Sequence, residues 1–170
     1  MGDVTCQMGL GAACELGRLP RKAAGLAPAD QLVLVLLQKV GQALGTTAGD
    51  AALRDHASLA AMLAAGTGNL ECTTPSYTRV YITSGTTVTY DAVNKRRDFG
   101  WPAQTILGLG AATGTGALQQ VQKLIVCYQP VIGSGGDAAI QPLVAHDYFH
   151  VCDGNDFQLT QPNGSYRDVG

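Results

Sequence analysis

Apolar and polar positions alternate from Tyr77 to Trp101, YTRVYITSGTTVTYDAVNKRRDFGW, in three short segments separated by turn residues. A period of two marks strands with one face on a core. Ser84-Gly85 divides two runs rich in Thr, Val and Ile, where glycine supplies the positive φ of a tight hairpin, and Asn94-Lys95 marks the next connection. The stretch therefore predicts a three-stranded β-meander. Upstream, Gln31 to Gln38 reads QLVLVLLQ, a short run apolar at every inner position. Its length and alternating Val predict a strand buried on both faces, although Pro28 and Asp30 would also suit a helix start. Between Asp50 and Gly66 the period changes to about 3.6. Leu53, Ala57, Ala60, Ala61 and Ala64 fall on one side, which Leu59, Met62 and Leu63 widen, and Gly66 stands just past the last turn. One Ala-rich helix is predicted over about 50–65, with Arg54, Asp55 and His56 on its outer face or first turn.

Farther along, residues 106–118 read ILGLGAATGTGAL, too rich in glycine for a helix and too poor in polar groups for an exposed loop. They are expected to lie against a neighbour or against the body of the domain. Residues 120–128 form the strongest predicted strand, ended by Pro130. A Gly-Ser-Gly-Gly-Asp turn at 133–137 leads to a strand over 143–152, which Asp153 to Asp156 should fold back onto 157–160 as a second hairpin. Residues 1–27 carry no sustained period and read as an extended N-terminal arm, followed by a single β-rich domain over 28–170. One helix and about seven strands predict a β-rich α+β fold, mostly antiparallel, arranged as a β-sandwich or a barrel-like sheet.

Composition adds one constraint. Only 14% of the 170 residues are charged, against about 25% in an ordinary soluble domain. A surface so poor in charge is better suited to partial burial against neighbours, which favours an oligomer or assembly subunit. The net charge of −2 gives no electrostatic footprint for nucleic acid. Two small basic clusters remain as partner contacts: Arg18, Arg21 and Lys22 in the arm, and Lys95, Arg96 and Arg97 at the predicted hairpin tip. No segment reaches the roughly 20 apolar residues of a membrane span. The start lacks the basic and apolar regions of a secretory signal, so Gly11-Ala12-Ala13-Cys14 is set aside as a lipoprotein box and the mature protein is read as the whole chain.

The candidate chemistry is thin. Five cysteines, Cys6, Cys14, Cys72, Cys127 and Cys152, show no C-x-x-C spacing. Cys127 reads as a small buried hydrophobe. Cys6 and Cys14, in the arm, are candidates for an interchain disulfide in an oxidising exterior, with free thiols as the alternative. His146 to His150, HDYFH, imitates the zinc-protease pattern, but that pattern needs a helix to bring its two histidines together. On a strand they stand roughly 13 Å apart, too far to share one zinc with bonds of about 2 Å. The G-x-G-x-x-x-G at 108–114 has no βαβ setting for a dinucleotide. Asp153 to Asp156 lacks the ligand spacing of an EF-hand loop, and no G-x-S-x-G occurs. The expectation is a non-enzyme with no catalytic residues, no metal and no cofactor.

The order of the blocks LVLVLLQKV, ALRDHASLAAMLAAG, YTRVYITSGTTVTYDAVNKRRDFGWPAQT, KLIVCYQP and DAAIQPLVAHDYF resembles a family of small structural proteins of tailed bacteriophages. The resemblance covers about residues 30–150. It implies a virion component, assembled in the bacterial host cytoplasm, without fixing a head or tail position, and it carries over no catalytic residue. Two roles are expected. In the first, the chain is a capsid decoration or cement subunit binding the major capsid protein or another virion protein, with the arm and the 106–118 loop on neighbouring subunits. In the second, it is a tail or neck component or an exposed host-binding adhesive module. A glycan-cleaving enzyme is a distant third. A homo-oligomer is expected, of which a trimer is one form, with no nucleic acid or membrane as partner.

Overall fold

In the computed structural model of the chain, the described residues are 4–5, 30–38, 53, 56–65, 71–91, 93, 96–106, 108–110, 120–159 and 165–166. They contain strands β1 (Val4–Thr5), β2 (Gln31–Gln38), β3 (Val80–Ile82), β4 (Thr87–Asp91), β5 (Arg96–Gly100), β6 (Gln104–Ile106), β7 (Gln120–Gln129), β8 (Gln141–Val151), β9 (Phe157–Leu159) and β10 (Ser165–Tyr166). One α-helix, α1 (Leu59–Ala64), and one 3-10 turn, Gly136–Ala139, complete them. The fold is β-rich α+β and every strand pairing is antiparallel. The described residues form three sheets, ordered β1-β8-β7-β2-β3, β10-β5-β4 and β6-β9.

Strand β2 organises the core, as its unbroken apolar run predicts. Leu32, Leu34 and Leu36 point to one side, where they meet Ile106 of β6, Phe157 and Leu159 of β9, Trp101 and Leu109. Val33, Val35 and Leu37 point to the other, against Leu53, Leu59 and Met62. Each such side chain contributes about 1.5–3 kcal/mol when fully buried, so a strand apolar on both faces needs a layer on each. Its neighbour β7 alternates the same way, with Leu124, Val126 and Tyr128 on the first face and Ile125 and Cys127 on the second. A bulge between Val121 and Lys123 resets the alternation and returns Val121 to the first face. Cys127 is a buried hydrophobe, as expected.

Four expectations need correction. The predicted hairpin at Ser84-Gly85 does not form: β3 pairs with β2, and β4 pairs with β5 in a different sheet. Gly85 does take a positive φ of 76°, but to turn the chain from one sheet to another. Of the predicted meander's strands, those on either side of the second connection, β4 and β5, do pair as an antiparallel hairpin. The return after Asp153 to Asp156 also changes partner. Strand β9 pairs with β6 rather than β8, and meets β8 through side chains: Phe157 packs edge-on to Tyr148 and stacks on His150, while the Tyr148 hydroxyl donates to the Gln158 carbonyl at 2.9 Å. The described strands number ten rather than about seven, because several are two- or three-residue pieces below the reach of a periodicity argument.

The helix is also shorter than 50–65. Leu53 lies in a turn, and helix begins only at Leu59 because the Ser58 side chain accepts from the Ala61 N–H at 3.2 Å and caps it. Its buried residues are Leu59 and Met62, whereas Ala57, Ala61 and Ala64 are exposed. Arg54, Asp55 and Gly66 lie outside the described residues. The Leu59 N–H donates to the Ile140 carbonyl at 2.7 Å, tying α1 to the 3-10 turn. Of the 106–118 loop, Gly108 to Gly110 lies against the body of the domain. Leu109 is fully buried, and its N–H and C=O pair with Asn155 and Gly154 at 3.1 and 3.0 Å.

Candidate binding cleft

Strand β3 covers β2 only over Leu32–Leu34, so the next backbone groups of β2 need other partners. Cys72 donates its N–H to the Leu36 carbonyl at 2.8 Å, and the Tyr77 hydroxyl accepts from the Leu36 N–H at 3.1 Å. The same hydroxyl donates to Glu71 Oε1 at 3.0 Å. Burial, reinforced by the nearby Glu71 carboxylate, raises the Tyr77 phenol far above its ordinary range.

Glu71 is held in turn by Arg79, whose Nε and Nη2 reach its two oxygens at 2.7 and 2.6 Å. The other edge of the guanidinium grips Asp137, with Nη2 on Oδ2 at 2.9 Å and Nη1 on Oδ1. Arg79 therefore ties the segment entering β3 both to the 71–74 connection and to the 3-10 turn. Hydrogen bonding to Glu71, and next to Asp137, raises the guanidinium above its already high range, while Arg79 holds the Asp137 carboxyl below the usual carboxylate range.

Beside this network opens a cleft of about 360 Å³, lined by Gln31, Arg79, Tyr81, Gln129, Ile132 and Asp137 among others. Its polar floor is a pair of buried amides: Gln31 Nε2 donates to Gln129 Oε1 at 2.5 Å, and Gln129 Nε2 donates to the Ser134 carbonyl at 3.2 Å. Its apolar wall is half exposed, with Tyr81 at 52% and Ile132 at 44%, and Val131 follows at 51%. The turn that carries Gly133 and Gly136 of the lining needs glycine at 135, where φ is 77° and a Cβ would stand 2.5 Å from the Ala139 Cβ. Two amides beside an apolar wall can bind a side chain or loop by hydrogen bonding and burial.

Of the residues singled out from sequence, Arg18, Arg21, Lys22, Lys95, Cys6 and Cys14 lie outside the described residues. Arg96 and Arg97 open strand β5 rather than the turn, opposite Asp91 and Tyr90, with Tyr166 opposite Arg97 on the other side. His146 and His150 lie on strand β8, where His146 is buried against Trp101 with ring centres 6.4 Å apart. Asp153 is occupied by the Asn155 backbone and side-chain N–H groups at 3.0 and 2.8 Å, which lower its carboxyl, and Asp156 accepts from the Gly108 N–H at 2.9 Å. Among the described residues no three His, Cys, Asp or Glu side chains gather around a shared metal position. Glu71, Tyr77, Arg79, Tyr81, Ile132 and Asp137 were not signalled by any motif. Compared with protein-family profiles, with curated proteins and with solved structures, the chain gives no match.

Proposed function

We propose that the chain is a structural protein of a tailed-bacteriophage virion, a capsid decoration or cement subunit that stabilises the head by binding neighbouring capsid subunits. Its main support is the surface around β3, a three-residue strand at the end of the five-stranded sheet whose Tyr81 stands half exposed beside Ile132 and the cleft. Exposed apolar groups grouped at a sheet edge are the kind of surface that association covers. The low charge of the chain acts in the same direction. The β6–β9 pair facing the five-stranded sheet across a shared core suits a sandwich, a scaffold that leaves its edges and loops for contacts. In this role the protein works by holding partners in the virion, as a homo-oligomer or against the major capsid protein, rather than by catalysis.

Quantitative mass analysis of purified particles tests the proposal. A copy number matching the shell supports the decoration role, and one matching a neck or tail tip moves the protein there. Absence from particles overturns a virion role altogether. Tyr81→Asp combined with Ile132→Asp should abolish incorporation while leaving the unfolding transition of the isolated chain unchanged. Undiminished incorporation would remove the cleft surface as the contact.

A further inference from the structure

Cys72 and Cys152 are 80 positions apart in sequence, yet they meet in one core. Cys72 is held beside β2 by its N–H bond to the Leu36 carbonyl, and Cys152 directly follows β8. Both are buried, at 3% and 5% exposure, in the layer between the five-stranded sheet and the β6–β9 pair. The buried Thr74 hydroxyl lies 3.2 Å from the Cys72 sulfur, and the Cys152 thiol is within hydrogen-bonding reach of both Thr74 and Cys72. Cys127 lies apart, on the opposite face of β7 with Ile125.

We propose that Cys72 and Cys152 are the two halves of an intramolecular disulfide, closed by exchange with a small-molecule disulfide such as oxidised glutathione. One protein thiolate attacks a glutathione sulfur, breaking that S–S bond and releasing one glutathione thiolate. The second protein thiolate then attacks the mixed disulfide, forms the Cys72–Cys152 bond and expels the second glutathione. The two protein sulfurs lose two electrons, the glutathione sulfurs gain them, and the two thiol protons end on two reduced glutathiones. From hydrogen-bonding reach, side-chain rotation and backbone adjustment bring two sulfurs to the roughly 2 Å of an S–S bond. The bond would fasten the 71–74 connection covalently to the end of β8.

Burial, followed by the neighbouring Cys72, pushes the Cys152 thiol up to about 11, so thiolate is scarce in the closed core at neutral pH. Closure is accordingly slow in the folded chain and faster as pH rises or as the 71–74 connection opens.

The full chain, equilibrated with oxidised glutathione, quenched with acid and alkylated in denaturant, is digested with trypsin and then chymotrypsin. The second cut, after Tyr128 and Tyr148, separates Cys127 from Cys152. The expected product is one species linking the Cys72 and Cys152 peptides, which dithiothreitol separates, together with a higher Tm for the oxidised chain. In Cys152→Ala under the same buffer, Cys72 should be recovered alkylated or capped by glutathione, with no protein partner. Recovery of both wild-type thiols as alkylated, or their linkage to Cys6, Cys14 or Cys127, overturns the proposal.

Discussion

Removing the Tyr77 hydroxyl isolates one bond of the β2 edge. In Tyr77→Phe the ring keeps its packing on the core, but the Leu36 N–H, 3.1 Å from the lost oxygen, is left without its acceptor beside a strand that water does not reach. An orphaned buried donor costs about 1–3 kcal/mol. Glu71 keeps both Arg79 contacts, so its share of the loss is small. The expected destabilisation is about 2 kcal/mol, a large fraction of the roughly 5–15 kcal/mol that holds a domain together. Urea unfolding should show a lower midpoint with an unchanged slope, and Tm should fall by about 4–8 °C for a chain of this length. The alkaline limb gives a second signature. In the unfolded chain a phenol ionises near about pH 10, whereas burial holds the folded Tyr77 protonated well above that. Its contribution is therefore complete below about pH 10 and lost as pH rises further, so the gap between wild type and variant should narrow there. A loss below about 0.5 kcal/mol at neutral pH, inside the noise of surface changes, would refute the edge-sealing role.

Three further outcomes follow from the same geometry. Arg79→Gln should cost about 1–3 kcal/mol at neutral pH, reduced from a buried-pair value by partial exposure; because Arg79 lowers the Asp137 carboxyl, that deficit should be full above about pH 4 and shrink as pH falls through the depressed value, read by urea unfolding at two pH values. Gly135→Ala should lower Tm more than Gly133→Ala, since both take positive φ but only the first sets a Cβ 2.5 Å from Ala139; the strain amounts to about 1–3 kcal/mol at 135. Met62→Ala should cost about 2–5 kcal/mol, while Ala57→Ser should stay within about 0.5 kcal/mol, and thermal unfolding of the pair checks which face of the 50–65 segment is buried.

The sequence made β2 and β7 legible because a strand buried on both faces leaves a continuous apolar run, which little else produces at that length. The helix was misread because alanine is tolerated on either face. A stripe of Ala57, Ala60, Ala61 and Ala64 mimics a buried side, whereas Leu59 and Met62 anchor the helix and Ser58 starts it. Turn residues located Gly85 and Gly154 correctly but could not name the partner strand, since a glycine that closes a hairpin and one that turns a corner share the same φ. The cleft left no trace at all. Arg79 and Asp137 are 58 positions apart, and only the pairing of β2 with both β3 and β7 brings them together.

That pairing also sets a schedule for synthesis. Gln31 of β2 finds its partner Gln129 only 98 residues later, and β8 follows later still. At about 5–20 residues per second, the run from Leu32 to Leu37 waits roughly 5–20 s after translation before β7 can cover it. Throughout that interval the β7-facing edge of an uncharged, aggregation-prone strand is open to its copies on neighbouring ribosomes. The yield of soluble protein should therefore depend on expression rate and on chaperones that shield this one segment, more than on the stability of the finished fold.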